Sequence, residues 1–206
     1  NDDETVMFGW DAPTPNLQTI SDKLYAWYDF DNKNFMFTDA ACTDGNQPTT
    51  DSDNIGCVRD LSGNGNDITE GTNFPEFKKD VTEFGGKNGI LFDEGNNEKL
   101  TLATSNLIEG GEYTICASVV RSAATNGHFM GIGSTTNDQG LLVGYSSDTN
   151  LQVSHVGNDL DLTTVEAWDG PSAGNRTAVV CVELDSTGKT VIEKRNGVGI
   201  YSRWYF

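Results

Sequence analysis

EYTICASVVR, residues 112–121, decides how the rest of the chain is read. In it Tyr113, Ile115, Ala117 and Val119 fall on one side of an extended backbone, and Thr114, Cys116 and Ser118 on the other. That period of two marks a half-buried strand. Farther on, AVVCVEL (178–184) is apolar at nearly every position, which suits a central strand covered on both faces. Outward from these two, short apolar or alternating runs recur at 24–30 (LYAWYDF), 57–60, 89–93, 100–103, 128–132, 140–146, 151–156, 190–194 and 199–206. LSGNGND (61–67), SDTN (147–150) and DSTGK (185–189) separate such runs, with Gly and Asn supplying the positive φ of tight turns. Helical periodicity is almost absent, and only 104–108 reads as a short helical turn. The pattern predicts an all-β fold, a two-sheet antiparallel β-sandwich of jelly-roll type. Residues 1–22, rich in Asp, Pro and Thr, read as an extended N-terminal arm, and 23–206 as one domain.

Composition removes several classes of function. A chain of 206 residues buries one substantial core. No apolar run approaches the roughly 20 residues that cross a bilayer, so no membrane span is expected. With 13 Lys+Arg against 31 Asp+Glu the net charge is -18, which repels phosphate backbones and argues against nucleic acid as a partner.

The four cysteines include no CxxC pair, and His128 and His155 are the only histidines, which argues against zinc. Both histidines read as surface residues at strand edges. Cys42 and Cys57 flank TDGNQPTTDSDNIG (43–56), a polar stretch with little to pack. Either they form a disulfide, a closure worth about 3 kcal/mol for a loop of this length, or two thiols sit in a surface insertion. A bridge would place the chain in an oxidising compartment outside the cytosol. Cys116 and Cys181 lie inside apolar strands and are expected to be free and buried.

LYAWYDFDN (24–32), CVRDLSGNGNDIT (57–69), FPEF (74–77), NGILFDEGNNEKLTL (88–102) and EYTICASVV (112–120) follow one another in an order that resembles the laminin-G-like, concanavalin A-like jelly roll. The likeness covers residues 23–195. It implies two antiparallel sheets packed face to face, in a class common to secreted adhesion proteins, polysaccharide-active enzymes and viral surface proteins. Two departures stand out. Glu98–Lys99 occupies the place where the family often has an Asp–aromatic pair, with Glu94 before Gly95. GIYSRWYF (199–206) lacks the usual closing strand, so the last strand is either truncated or serves a partner.

Three chemistries compete. Hard cations take oxygen ligands, and the acidic loops offer Asp51 with Asp53, or Asp60 with Asp67, as candidate calcium ligands. Glycan recognition needs an aromatic plate flanked by hydroxyl partners. Trp168 in the polar loop VEAWDGPSAGN (165–175) is the candidate plate, with His155, Asn158 and Asp159 in the neighbouring segment and Tyr145 from the 140–156 hairpin. Glycoside hydrolysis needs paired carboxylates about 5–5.5 Å apart for retention. Asp159 and Asp161 come nearest, but the preceding Gly157-Asn158-Asp159 reads as a turn and no third acid joins them. Asn175-Arg176-Thr177 also fits a glycosylation acceptor.

The expectation is therefore a non-enzymatic, surface-exposed structural or attachment module, a virion (phage) decoration or fibre protein with glycan recognition, located outside the cell or on a virion surface. Its partners would be neighbouring structural chains, reached through the arm (Met7, Phe8, Trp10, Leu17) and the aromatic end from Tyr201 to Phe206 with Trp204. Calcium is the one cofactor expected. The alternative is a secreted carbohydrate-binding or adhesion module, and behind it a polysaccharide hydrolase.

Overall fold

A computed structural model of the chain describes residues 24–103, 113–121, 127–133, 140–145, 150–155, 158–163, 176–185, 188–195 and 198–204. Among them there is no α-helix, and fourteen strands pair in antiparallel ladders. No helix among the described residues is long and apolar enough to cross a membrane.

The first part carries β1 (Met36–Phe37), β2 (Cys57–Val58), β3 (Ile68–Thr69), β4 (Glu76–Val81), β5 (Lys87–Leu91) and β6 (Thr101–Leu102). One sheet runs in the order β1-β2-β3-β6, and β4 and β5 form a separate ribbon. Met36, Ile55, Val58 and Phe77 are buried together at its centre. Such short strands hold their place through this cluster and through loop hydrogen bonds rather than through long ladders. The 42–57 loop is closed by a Cys42–Cys57 disulfide, Cα atoms 5.4 Å apart. Arg59 clamps the same loop: its guanidinium sits 4.4 Å from the centre of the Phe37 ring, donates to the Cys42 carbonyl (2.7 Å) and pairs with Asp44 (2.8 Å).

The expected opening strand at 24–30 is not one. Those residues join no ladder, because loop 60–66 takes their backbone groups. The Trp27 N–H donates to Asp60 Oδ1 (2.9 Å) and the Leu61 N–H to the Trp27 carbonyl (2.8 Å). Asn64 and Asn66 donate through Nδ2 to the Leu24 and Tyr25 carbonyls, both at 2.7 Å. The alternation belongs to an extended chain, but side chains satisfy it in place of a neighbouring strand.

The second part carries β7 (Tyr113–Arg121), β8 (Gly127–Gly133), β9 (Gly140–Tyr145), β10 (Asn150–His155), β11 (Asn158–Thr163), β12 (Arg176–Asp185), β13 (Gly188–Arg195) and β14 (Val198–Trp204). Two four-stranded sheets result, ordered β14-β13-β12-β7 and β11-β10-β9-β8. Leu141 and Val143 of β9, Val153 of β10, and Val180 and Val182 of β12 form one buried cluster, with Tyr113, Ile115 and Val119 of β7 against it, so the cluster draws on both sheets.

Cys116 and Cys181 are not free thiols. They are disulfide-bonded, with Cα atoms 4.1 Å apart. The register sets them directly opposite each other, at positions that alternate with the buried ones. Cys116 is accordingly exposed and Cys181 half-buried. AVVCVEL is therefore central in its sheet but not covered on both faces.

Candidate functional site

The candidate calcium ligands each accept hydrogen bonds from their own loop or from a segment packed beside it. Asp60 receives the Trp27 and Ser62 N–H groups on Oδ1 and the Ser62 hydroxyl and Asn66 N–H on Oδ2, at 2.6–3.1 Å. Asp67 Oδ1 accepts from the Asp60 N–H at 2.8 Å. Nearby, the Tyr28 hydroxyl donates to the Asn66 carbonyl at 2.5 Å, and burial, with Asp60 and Asp67 beside it, raises its pKa. Gly63 and Gly65 adopt φ +87° and +72°, which lets SGNGND wrap back on Asp60. Asp53 accepts from Thr50 Oγ1 (2.7 Å), the Thr50 N–H (2.8 Å) and the Thr49 N–H (2.7 Å). Asp51 accepts from the Lys79 N–H at 2.9 Å.

Among the described residues, one group of three potential ligands lies within 4.8 Å: Cys42, Cys57 and Asp67. Both sulfurs are in a disulfide and offer no thiolate, which is the form that binds metal. Neither Asp51 with Asp53 nor Asp60 with Asp67 belongs to a described three-carboxylate cluster.

These hydrogen bonds set an acid limit on stability. Donation from Thr50, then Thr49, holds the Asp53 carboxyl at about 2. For Asp60, partial burial pushes the pKa up, but donors from Ser62, Trp27 and Asn66 outweigh it and the net shift is downward. As pH falls, the unfolded chain takes up these protons first, so the contribution is complete above about pH 4 and is lost toward about pH 2. Urea midpoints of the native chain should fall through that window, and Asp53→Asn should flatten the slope. An unchanged slope in the variant would remove Asp53 from the account.

The second region is the face of the β8–β11 sheet turned away from the cluster. Leu141, Val143 and Val153 point into the cluster, so Leu142, Gly144 and Gln152 lie on the other side. Across this side His128 of β8 is registered opposite Gly144, Gly144 opposite Gln152, and Gln152 opposite Asp161 of β11. A register shift between His128 and Met130 creates the arrangement. The extra residue lets Phe129 and Met130 both pack on the cluster while exposed His128 lies on the opposite face. His128 Nε2 meets Gln152 Oε1 at 3.0 Å, spanning the strand between them. Gly144, with no Cβ, lies beneath that bridge. With Nε2–H donating to Gln152, Nδ1 is an acceptor and the Gln152 amide N–H groups are donors. The row thus offers both donors and acceptors, and in the register it runs on to Asp161.

Four of the residues expected to bind glycan lie among the described residues, and strand register sets three of them side by side. His155 and Asn158 are opposite partners at the end of the β10–β11 hairpin, and Asp159 faces Ser154. Tyr145 is registered opposite Leu151, four positions from His155 and so roughly 13 Å along the strand. Trp168, Asn175, the 1–22 arm, the 104–108 turn and residues 205–206 lie outside the described residues. Asn158 and Asp159 open β11 rather than a turn, which sets Asp159 and Asp161 at alternate positions of one strand. Comparison of the chain with protein-family models, curated proteins and solved structures returns no match.

Proposed function

We propose that this chain is a non-enzymatic, surface-exposed attachment module, a jelly-roll β-sandwich that decorates a virion or fibre and recognises glycan hydroxyls on the outer face of its β8–β11 sheet. The observation that carries this reading is the His128–Gln152 bridge over Gly144, a polar row on a sheet whose reverse side is buried. Two disulfides suit an oxidising exterior, and the net charge of -18 keeps such a module off phosphate polymers. Among the described residues β14 is the last strand of its sheet, and it is the edge through which a neighbouring structural chain would add, together with the arm. A glycan array with calcium and with chelator tests recognition and the loop cation together. Binding that His128→Ala and Gln152→Ala reduce at least about tenfold supports the site; no binding in either condition removes glycan recognition.

A second reading, polysaccharide hydrolysis, gains from one observation: Asp159 and Asp161 alternate on a strand, the spacing from which paired carboxylates are built. Hydrolysis of a polysaccharide panel that Asp159→Asn and Asp161→Asn abolish would favour it over attachment.

A further inference from the structure

Cys116 and Cys181 are opposite partners on β7 and β12, at the close Cα spacing of a narrow, non-hydrogen-bonded antiparallel pair. Alternation turns them away from the buried cluster, and Thr114, Cys116 and Ser118 are all exposed. β7 ends its sheet. The line from Cys181 Sγ through Cys116 Sγ therefore leaves the sheet across an edge strand, with no further strand of that sheet among the described residues. In thiol–disulfide exchange the incoming thiolate approaches along that line, opposite the sulfur that leaves.

The other disulfide differs in each respect. Cys57 is fully buried and Cys42 half-buried. Asp67 Oδ2 lies 3.7 Å from Cys42 Sγ, where a carboxylate repels an approaching thiolate.

We propose that Cys116–Cys181 is a thiol–disulfide exchange site, attacked at Cys116 Sγ by the thiolate of a small thiol or a protein dithiol. In the first step the thiolate bonds to Cys116 Sγ, the Cys116–Cys181 bond breaks, and Cys181 Sγ leaves with the electron pair and takes a proton. In the second, another thiol of the reductant attacks the external sulfur of the mixed disulfide, and Cys116 leaves as a thiolate and is protonated. Two external thiols become one external disulfide, and two electrons and two protons pass to the protein. The nine register pairs joining β7 and β12 do not depend on the bond, so the fold persists and an external disulfide reverses the reaction. Exchange here is independent of glycan binding.

The test uses the intact chain without denaturant, incubated in reduced glutathione or in dithiothreitol, quenched with iodoacetamide over time and mapped by mass spectrometry. Cys116 and Cys181 should become alkylated roughly tenfold faster than Cys42 and Cys57, with glutathione trapped on Cys116 and the far-UV circular dichroism unchanged. Reduction by dithiothreitol with no trapped glutathione supports the site and narrows its substrate to dithiols. Equal rates for the two disulfides, faster opening of Cys42–Cys57, glutathione on Cys181, opening only in denaturant, or loss of the β spectrum in step with reduction would each overturn it.

Discussion

Asp60→Ala should lower the unfolding free energy by about 3 kcal/mol, since it strips the partner from three backbone N–H groups and one hydroxyl in a half-buried loop. Each donor left without an acceptor costs about 1–3 kcal/mol when buried, and water reaching part of this loop trims the sum. The effect extends beyond the loop, because Asp60 holds Trp27, and Leu61 in turn donates to the Trp27 carbonyl. Without it the 24–30 segment has no ladder to fall back on. Asp60→Asn should recover only part of the loss: whichever way the amide turns, an NH2 faces donors that the carboxylate had satisfied. Asp44→Ala is the control. Its ion pair with Arg59 leaves the Asp44 side chain 80% exposed, and such pairs contribute at most about 1 kcal/mol. Urea unfolding at constant slope decides the matter. An Asp60→Ala midpoint no lower than that of Asp44→Ala would mean that the loop is held by something other than this carboxylate.

How much of this was legible follows from which positions are buried. β7, β9, β10 and β12 stand out because their inward residues (Ile115, Leu141, Val143, Val153, Val180) are apolar and alternate. β4 is EFKKDV, a ribbon strand with Phe77 buried but Lys79 and Asp80 exposed and Lys78 half-buried, so no apolar run marks it. β11 does alternate, Leu160 and Leu162 against Asp159 and Asp161, but the turn chemistry of Gly157-Asn158-Asp159 outweighed the period. The SGNGND turn was legible in its glycines, yet what it binds was not. Nothing local says that Asp60 and Asn66 reach across to 24–30. Pairing is the common missing term. The Cys116–Cys181 bond depends on the register of two strands far apart in sequence, and a slip of one residue would put the sulfurs on opposite faces. The His128 row is hidden for the same reason, because its bulge exists only as two residues of β8 set against one of β9.

Gly144→Ala tests that bulge directly. A Cβ at 144 would overlap the Gly127 carbonyl oxygen and the His128 Cα, both backbone atoms that cannot swing aside as a side chain would. Accommodation requires β8 to move off β9, which draws Phe129 and Met130 away from the Leu141–Val143 cluster and pulls His128 from Gln152. Overpacking of this kind costs about 1–3 kcal/mol where side chains can adjust, and a clash with backbone belongs at or above the top of that range, about 3 kcal/mol. Gly127→Ala is the matched comparison: it lies on β8, the strand paired with β9, with nothing within 4 Å of its added Cβ, and should shift stability by no more than about 0.5 kcal/mol. The pair separates packing from any general loss of glycine flexibility, because both variants remove one glycine from the same ladder. In the glycan assay Gly144→Ala should bind no better than His128→Ala, since displacing β8 breaks the same bridge. If Gly144→Ala proves as stable as Gly127→Ala, β8 does not approach β9 closely at this point, and the polar row loses the floor on which its geometry rests.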